Sequence, residues 1–485
     1  MAFLATDRFQ RIVQALSPVR LRSLVLIFAG AAAIKLLILA VDHTLAFHSD
    51  SGSYLQDAVT LRASWPRPLG YGLFIRLVFL LTGGVHIKAL MLFQSLTGAL
   101  LAPIVYFVGR RFLTAGPRLA LVAALLVTLS PGNLVIERFM LSDAVTSTVL
   151  ALSLVGLLLY LERPSARRGL VLGIAAVLPL LFRAIWAYLP ALYLVMAALL
   201  LLRREGRRQA LRGLVTATVV TVCVYLGYSA VFSRSSTGEV DLGAGTSGFS
   251  GWVLWGSVAR FAEAGDLEGF AGGDVLLSDL ESLQRNGSYQ IWDFTSTAHQ
   301  LREQRYGGSF VDTNKALLHA SWRILCRHPL QFGLQFLQAV GRFFTGEPGN
   351  ADLSRPVEID PSVGRDFATY GGIDFSTLPQ RPPEVGPAYR AWRGSRWLFV
   401  SALFVGLPIT LWRPYRRRML LALSLVGISY LLVVNVAIGF IFVERYFLPV
   451  EYIGTLILMG SLAALWRRRP RAHRQSAARN ENVSD

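Results

Sequence analysis

Arginine fills every second junction between the apolar runs of this chain, and that alternation constrains its fold more than any other feature. Arg20 and Arg22 precede the first run; Arg110, Arg111 and Arg118 follow the second; Arg163, Arg167 and Arg168 follow the fourth. Arg203, Arg204, Arg207, Arg208 and Arg212 follow the sixth, Arg413, Arg416, Arg417 and Arg418 the eighth, and Arg467, Arg468 and Arg469 the last. The intervening short junctions carry isolated charges. A membrane span needs roughly 20 apolar residues. On that measure ten runs qualify, at 23–41, 86–109, 119–133, 144–161, 169–182, 184–202, 213–232, 397–412, 419–441 and 446–466. Cytoplasmic loops collect arginine, so both termini and every arginine cluster are expected in the cytoplasm.

Composition agrees. The 485 residues have a mean hydropathy of +0.47, with 53% hydrophobic and only 16% charged residues. A net charge of +18 could signal a nucleic-acid partner, but the arginines sit between apolar runs, so none is expected. Two cysteines, Cys223 and Cys326, give neither a disulfide framework nor a cysteine metal site. Ala29–Ala33 could imitate a signal-peptide cleavage site, but the apolar run resumes after Lys35, so an uncleaved anchor is expected. Lys35 itself is either functional or a snorkelling lysine.

Parity decides two shorter apolar pieces, 68–82 with Arg76 and 329–346 with Arg342. Counting either as a span would invert every downstream cluster, so both are read as helices on the outer surface or packed on the bundle. The expected fold is thus all-α and polytopic, with about ten transmembrane helices. A cytoplasmic N-terminus (1–22) leads to a seven-span module (23–232) with outer loop 42–85. One large extracytoplasmic insertion (233–395) precedes three further spans (396–466) and a basic cytoplasmic tail (467–485). The insertion reads as amphipathic helices near 252–264, 293–305 and 311–328, then a Pro/Gly-rich half from Pro348 to Pro387 read mostly as loop.

Unusual polar residues gather on the outer face. The first outer loop reads HSDSGSYLQDA (48–58), then WPRPLGYGLFIRL (65–77). Asp50 has two readings: a helix cap, with Ser53 and Gln56 at capping-box spacing, or a general base. SPGNLVIERFMLSDA (130–144) adds Glu137, Arg138 and Asp143, with Asp143 placed to cap the next span. Arg183 in LLFRAIWAYLPAL (180–192) and Arg445 in VERYFLPVEY (443–452) lie at headgroup depth, where a forked guanidinium suits a lipid phosphate. Interfacial anchoring beside Trp186, Tyr188 and Tyr446 is the plainer alternative. His43 and His48 lack the further ligands a metal site needs.

Together, Asp50 and Tyr54, Arg67-Pro-Leu-Gly-Tyr71, the Glu137 loop, the Arg183 turn and Arg445-Tyr446-Phe-Leu-Pro449 resemble the C-type membrane glycosyltransferase superfamily. The branch resembled is the bacterial relatives of protein O-mannosyltransferases and of the lipid A aminoarabinose transferase. Residues 251–263 are also similar to a segment of actinobacterial members. The resemblance implies an inverting transferase of a bacterial plasma membrane, with its active site extracytoplasmic. It would take a sugar from a polyprenyl-phosphate carrier to a glycan, lipid or protein acceptor. It assigns the base to Asp50 and the donor phosphate to Arg183 and Arg445; beside them Glu137 is expected to assist or orient, with Tyr54, Asp57, Arg67 and Tyr446 supporting. Many members carry two adjacent acids in the first loop. Here Ser51 follows Asp50, so a second acid must come from Asp57, Glu137 or elsewhere.

No cofactor is called for, and no divalent cation is indicated, since phosphate leaves readily once its charge is held. Two other classes are weighed. A polysaccharide ligase or polymerase would use a lipid-diphosphate donor, with two arginines and a histidine on one groove. A lipid or solute transporter would show repeat-related halves and helices broken at the midplane.

Overall fold

The computed structural model describes residues 21–42, 44, 46–48, 50–63, 67–202, 206–237, 250–285, 295–345, 361–378, 391, 394–412, 417–438 and 447–466. Among the described residues the chain is all-α, with the long apolar helices of a polytopic membrane protein. Its first segment comprises α1 (Leu21–Val41), α2 (Ser51–Thr60) and α3 (Gly70–Thr82). Then follow α4 (Ile87–Arg111), α5 (Pro117–Ile136), α6 (Asp143–Glu162), α7 (Ala166–Val177), α8 (Ala184–Leu202) and α9 (Arg207–Thr237). Six of these, α1, α4, α5, α6, α8 and α9, are long and apolar enough to cross a membrane. Ten crossings are expected from the sequence, and length and composition alone support these six among the described residues.

Burial follows composition. Helix α6 is apolar on all sides and is enclosed by α4, α7 and their neighbours, with Leu150, Leu154, Leu157 and Leu161 in the core. Helices α1 and α9 lie at the edge and keep Leu26, Leu37, Val215, Val219 and Val231 exposed, the surface a lipid would cover. Proline at the first helical position starts α5 at Pro117 and restarts it at Pro131, where the Ser130 hydroxyl accepts from the Asn133 N–H at 3.2 Å.

The helix termini sort into two ends. At one, Arg111 and Arg168 pair with Glu162 at 3.0 and 3.3 Å, and Arg418 donates to the Leu161 carbonyl at 3.2 Å. At the other, the 42–50 loop meets residues 138–140 through an isolated bridge between Ala46 and Phe139, and Asp143 meets Arg183. Arg111, Arg168 and Arg418 therefore lie at the end opposite Asp50.

Segment 70–82 packs on the bundle between α2 and α4, burying Tyr71, Ile75, Val78 and Phe79 while Leu73, Leu77, Leu80 and Leu81 stay exposed. Beyond α9 the insertion holds α10 (Ser250–Val258), α11 (Gly273–Arg285), α12 (Thr295–Arg305) and α13 (Phe310–Arg327). They form their own core around Trp252, Trp255, Leu276, Leu301, Leu317 and Ile324. Helix α11 has an amphipathic pattern that the sequence reading did not place. Next comes α14 (Pro329–Thr345), whose Gln335 amide donates to the Ser257 carbonyl at 2.8 Å while Leu330, Leu334 and Leu337 face outward.

The Pro/Gly-rich half expected to be loop contains a helix, α15 (Pro361–Gly371), and a 3-10 turn at Phe375–Thr377. What local composition withholds, docking supplies: Phe367 and Phe375 stack edge-on against Phe47 at 5.2 and 5.0 Å. Helix α15 packs along α2, so the insertion reaches the first loop. Finally α16 (Arg396–Trp412), α17 (Arg417–Ile438) and α18 (Leu448–Trp466) pack on one another; α18 also packs on α5, and α17 on α6.

Candidate active site

A buried glutamine sets the register of the first loop. The Gln94 amide donates to the carbonyls of Glu137 and Phe139 at 2.9 and 3.0 Å, and the Tyr71 hydroxyl donates to its oxygen. Ala46 then pairs in both directions, its N–H to Arg138 at 3.0 Å and its carbonyl from Met140 at 3.2 Å. Arg138 forms an ion pair with Asp42, and the Ser51 hydroxyl donates to the Met140 carbonyl at 3.1 Å. These bonds fix where α2 begins, and with it Asp50.

Asp50 occupies the position before α2, but its carboxylate makes no bond to a helix N–H. The capping alternative is therefore not what the side chain does, and Ser53 instead donates to the Asp50 carbonyl at 2.8 Å. The carboxylate accepts from Arg67 at 2.6 Å, with His48 Nδ1 3.7 Å away. Arg67 also lies over the Tyr54 ring, 5.4 Å from its centre. Tyr54 stacks edge-on with Tyr71 at 4.8 Å, and its hydroxyl is 3.1 Å from the Ser142 hydroxyl. Burial, then the nearby Asp50 charge, raise the Tyr54 phenol against the opposing pull of Arg67 and Arg183, so it stays a neutral hydrogen-bonding group.

Asp143, expected to be a cap, is the first residue inside α6, and Ser142 occupies the cap position. Its carboxylate pairs instead with Arg183. Asp143 is 3% exposed, and its Oδ2 has no hydrogen-bond partner among the described residues. Asp50, Tyr54, Arg67, Asp143 and Arg183 thus form one cluster from three separate loops.

Residues 66–228 match a family model described as dolichyl-phosphate-mannose-protein mannosyltransferase. This stretch is therefore similar to that family of membrane glycosyltransferases. Two solved structures are similar at the level of the whole chain, both of ArnT from Cupriavidus metallidurans. The one bound to undecaprenyl phosphate is 15% identical, covering 91% of this chain and 78% of that one, with a TM-score of 0.36. The apo form is 16% identical, covering 90% and 76%, with a TM-score of 0.35. No curated protein matches the chain.

Within the matched stretch lie Arg67, Glu137, Asp143 and Arg183, while Asp50 and Tyr54 precede it. Glu137 is buried. Its carboxylate forms a buried ion pair with Lys35 of α1, in the space left by Gly98, where a Cβ would strike both charged groups. Lys35 therefore does not snorkel, and Arg138 neutralises Asp42 rather than Glu137. Asp57 is fully buried against Gly72 of α3. Arg445, Tyr446, Glu444 and His43 lie outside the described residues. Among the described residues no group of three His, Cys, Asp or Glu could hold a metal ion.

Three further polar residues were not picked out as site candidates in the sequence. Arg396 is fully buried, its guanidinium 5.5 Å from the Phe447 ring centre. Glu451 is buried and accepts from the Ser130 hydroxyl at 3.2 Å. Asp366 of α15 lies against Gly52 of α2. Arg396 and Glu451 each stand in the first turn of an apolar helix, a signal that could have marked them.

Proposed function

We propose that the protein is an inverting glycosyltransferase that moves a sugar from a polyprenyl-phosphate carrier to an envelope acceptor at the extracytoplasmic face of a bacterial plasma membrane. The observation that carries this reading is the half-open Asp50–Arg67 pair beside Arg183, within and next to the stretch that matches the mannosyltransferase family model. The matching family is described by a dolichyl-phosphate sugar, a donor of the same lipid-phosphate class.

In the proposed reaction Asp50 takes the proton from an acceptor hydroxyl or amine, which attacks the anomeric carbon. The bond from that carbon to the phosphate oxygen breaks, and the electron pair leaves with the lipid phosphate. Arg183 and Arg445 hold the developing charge; Arg183 is shared between Asp143 and the incoming phosphate. Arg67 orients Asp50 and can follow the phosphate when it arrives. Tyr54 supplies a neutral hydroxyl wall. Glu137, locked to Lys35, acts through the loop it anchors rather than on substrate. Carbanion or redox chemistry is not required, so no cofactor is assigned.

Two experiments test the reading. Purified protein in liposomes is given a polyprenyl-phosphate sugar or the matching nucleotide sugar, and transfer is expected from the lipid donor alone. Transfer from the nucleotide sugar without a lipid intermediate overturns it. Single cysteines at Ser53 and Ser309 are expected to label from outside intact cells, with Ser476 protected. Protection of Ser53 would invert the orientation and remove the site from the proposed face.

A further inference from the structure

Helices α7 and α9 run side by side from the Glu162 end of the bundle. They approach so closely that a Cβ on Gly169 would strike the Gly213 carbonyl, and one on Gly173 the Ala217 carbonyl. That register, 169 to 213 and 173 to 217, makes the two helices parallel, with both starts at the same end. The Tyr160 hydroxyl, near the end of α6, donates to the Ala210 carbonyl at 2.9 Å and holds the first turns of α9 at this level.

The outer faces of the two helices repeat one pattern. On α7 the exposed Arg167 is followed by exposed Leu170 and Ile174. On α9 the exposed Arg208 and Arg212 are followed by exposed Val215 and Val219. With about 3.6 residues per turn, Leu170 and Ile174 fall on the same side of the α7–α9 contact line as Arg212 and Val219. A shallow apolar groove therefore leads away from the arginines and is continuous with the outward-facing surface of the bundle. Arg167 and Arg212 stand just before the Gly169–Gly213 contact, so they share one level at its mouth.

The charge at that mouth is uncompensated. Among the described residues no carboxylate pairs with Arg167, Arg208 or Arg212. Glu162, the only acid of this end among them, is shared by Arg111 and Arg168 at 3.0 and 3.3 Å. Guanidinium groups set above an apolar, outward-facing groove complement a molecule with a phosphate at one end and a hydrocarbon chain at the other.

We propose that the α7–α9 groove binds an anionic phospholipid of the surrounding leaflet. Arg167, Arg208 and Arg212 hold its phosphate, and an acyl chain lies along Leu170, Ile174 and Val219. The site is at the opposite end of the bundle from Asp50 and takes no part in sugar transfer, so either can fail without the other.

The test uses a native thiol. Cys223 is exposed on α9, roughly 16 Å along the helix axis beyond Arg212, the depth of a chain whose phosphate sits at that arginine. In a Cys326→Ser chain Cys223 is labelled with a small fluorophore, and the protein is placed in bilayers of mixed phosphatidylcholine and phosphatidylglycerol. Bromine on the acyl chains of one lipid or the other quenches the label and reads which lipid lies beside it. Phosphatidylglycerol is expected to be favoured at Cys223 by at least about fivefold, and by under about twofold at Ile34→Cys on α1 with both native cysteines replaced by serine. Joint Arg167→Gln, Arg208→Gln and Arg212→Gln replacement is expected to bring Cys223 down to the α1 level. The three lysine replacements should recover part, because the charge stays and the fork is lost. Equal preference at Cys223 and Ile34→Cys, or a preference that survives the glutamine replacements, would overturn the proposal. So would a label at Cys223 that neither brominated lipid quenches, which would mean that protein covers the groove. Should the glutamine variant not purify folded, the contrast between Cys223 and Ile34→Cys decides alone.

Discussion

Two ion pairs stand at the same end of the bundle, and burial makes them different devices. Lys35 and Glu137 are 1% and 3% exposed and join α1 to the loop after α5. Arg67 and Asp50 are 25% and 19% exposed and join the start of α3 to the start of α2. A buried pair stripped of one partner leaves an uncompensated charge, at a cost of about 3–5 kcal/mol. A half-open pair contributes about 0–1 kcal/mol, because water screens it. The first pair holds the loop in place. The second can exchange partners with a substrate at little cost, as the proposed base beside a phosphate site would have to.

The sharpest way to break this contrast is at Asp50. Asp50→Asn removes the proposed base and leaves the fold nearly untouched. Transfer is expected to fall by about 10²–10⁴, the range of general-base catalysis, with the thermal midpoint almost unmoved. Substantial residual transfer would return the base to another acid.

Next in size is the buried pair. Glu137→Gln and Lys35→Met should each destabilise the protein by about 3–5 kcal/mol in thermal unfolding in detergent, while Lys35→Met with Glu137→Leu recovers most of it. Full stability in Glu137→Gln, with activity lost, would make Glu137 a catalytic group after all.

Arg183 sharpens the other pair. Charge-assisted hydrogen bonds are worth about 1.5–3 kcal/mol, so Arg183→Ala should weaken use of the lipid donor by about ten- to a hundredfold. Arg183→Lys should restore only part, because the fork is lost. The same direction is expected of Arg445→Ala. Equal donor KM values in the parent and Arg183→Ala would detach this arginine from the phosphate.

Much of this arrangement was legible in the sequence, and what was not shares one cause. Apolar length and arginine placement locate the helices, because a bilayer imposes both. The loop around Asp50 stands out because polar residues are rare between such helices. Partners distant along the chain leave no local mark. Glu137 meets Lys35 across 102 residues, so the two acids Asp50 and Glu137 look alike until burial separates them. Asp143 sits where a cap is expected, and only the Arg183 turn reveals what it binds. Helix α15 forms in a stretch whose prolines and glycines argue for loop, because docking of Phe367 on Phe47 outweighs local preference.

The smallest expected effect concerns a cluster between the two pairs in burial, within the insertion. Asp266 is 3% exposed, while its partner Arg327 is 47% exposed. Burial alone would raise this carboxyl. The Glu263 N–H at 2.9 Å, His328 Nε2 at 2.8 Å and Arg327 at 3.2 Å together hold it below the usual carboxylate range. The folded insertion therefore binds fewer protons here than the unfolded chain in the window from about pH 4 downward, and stability rises with pH across that window. The contribution is complete above about pH 5 and is lost as pH falls through the lowered value. Asp266→Asn should cost the insertion about 1–3 kcal/mol at neutral pH, through lost hydrogen bonds. It should also flatten the acid dependence that this carboxylate contributes. Hydrogen exchange over 250–285 and 295–345 at pH 7 and pH 3 reads both effects, with α6 as the internal standard. Exchange in the insertion that is equally slow at both pH values in the parent protein would show that its carboxylate bonds carry no stability.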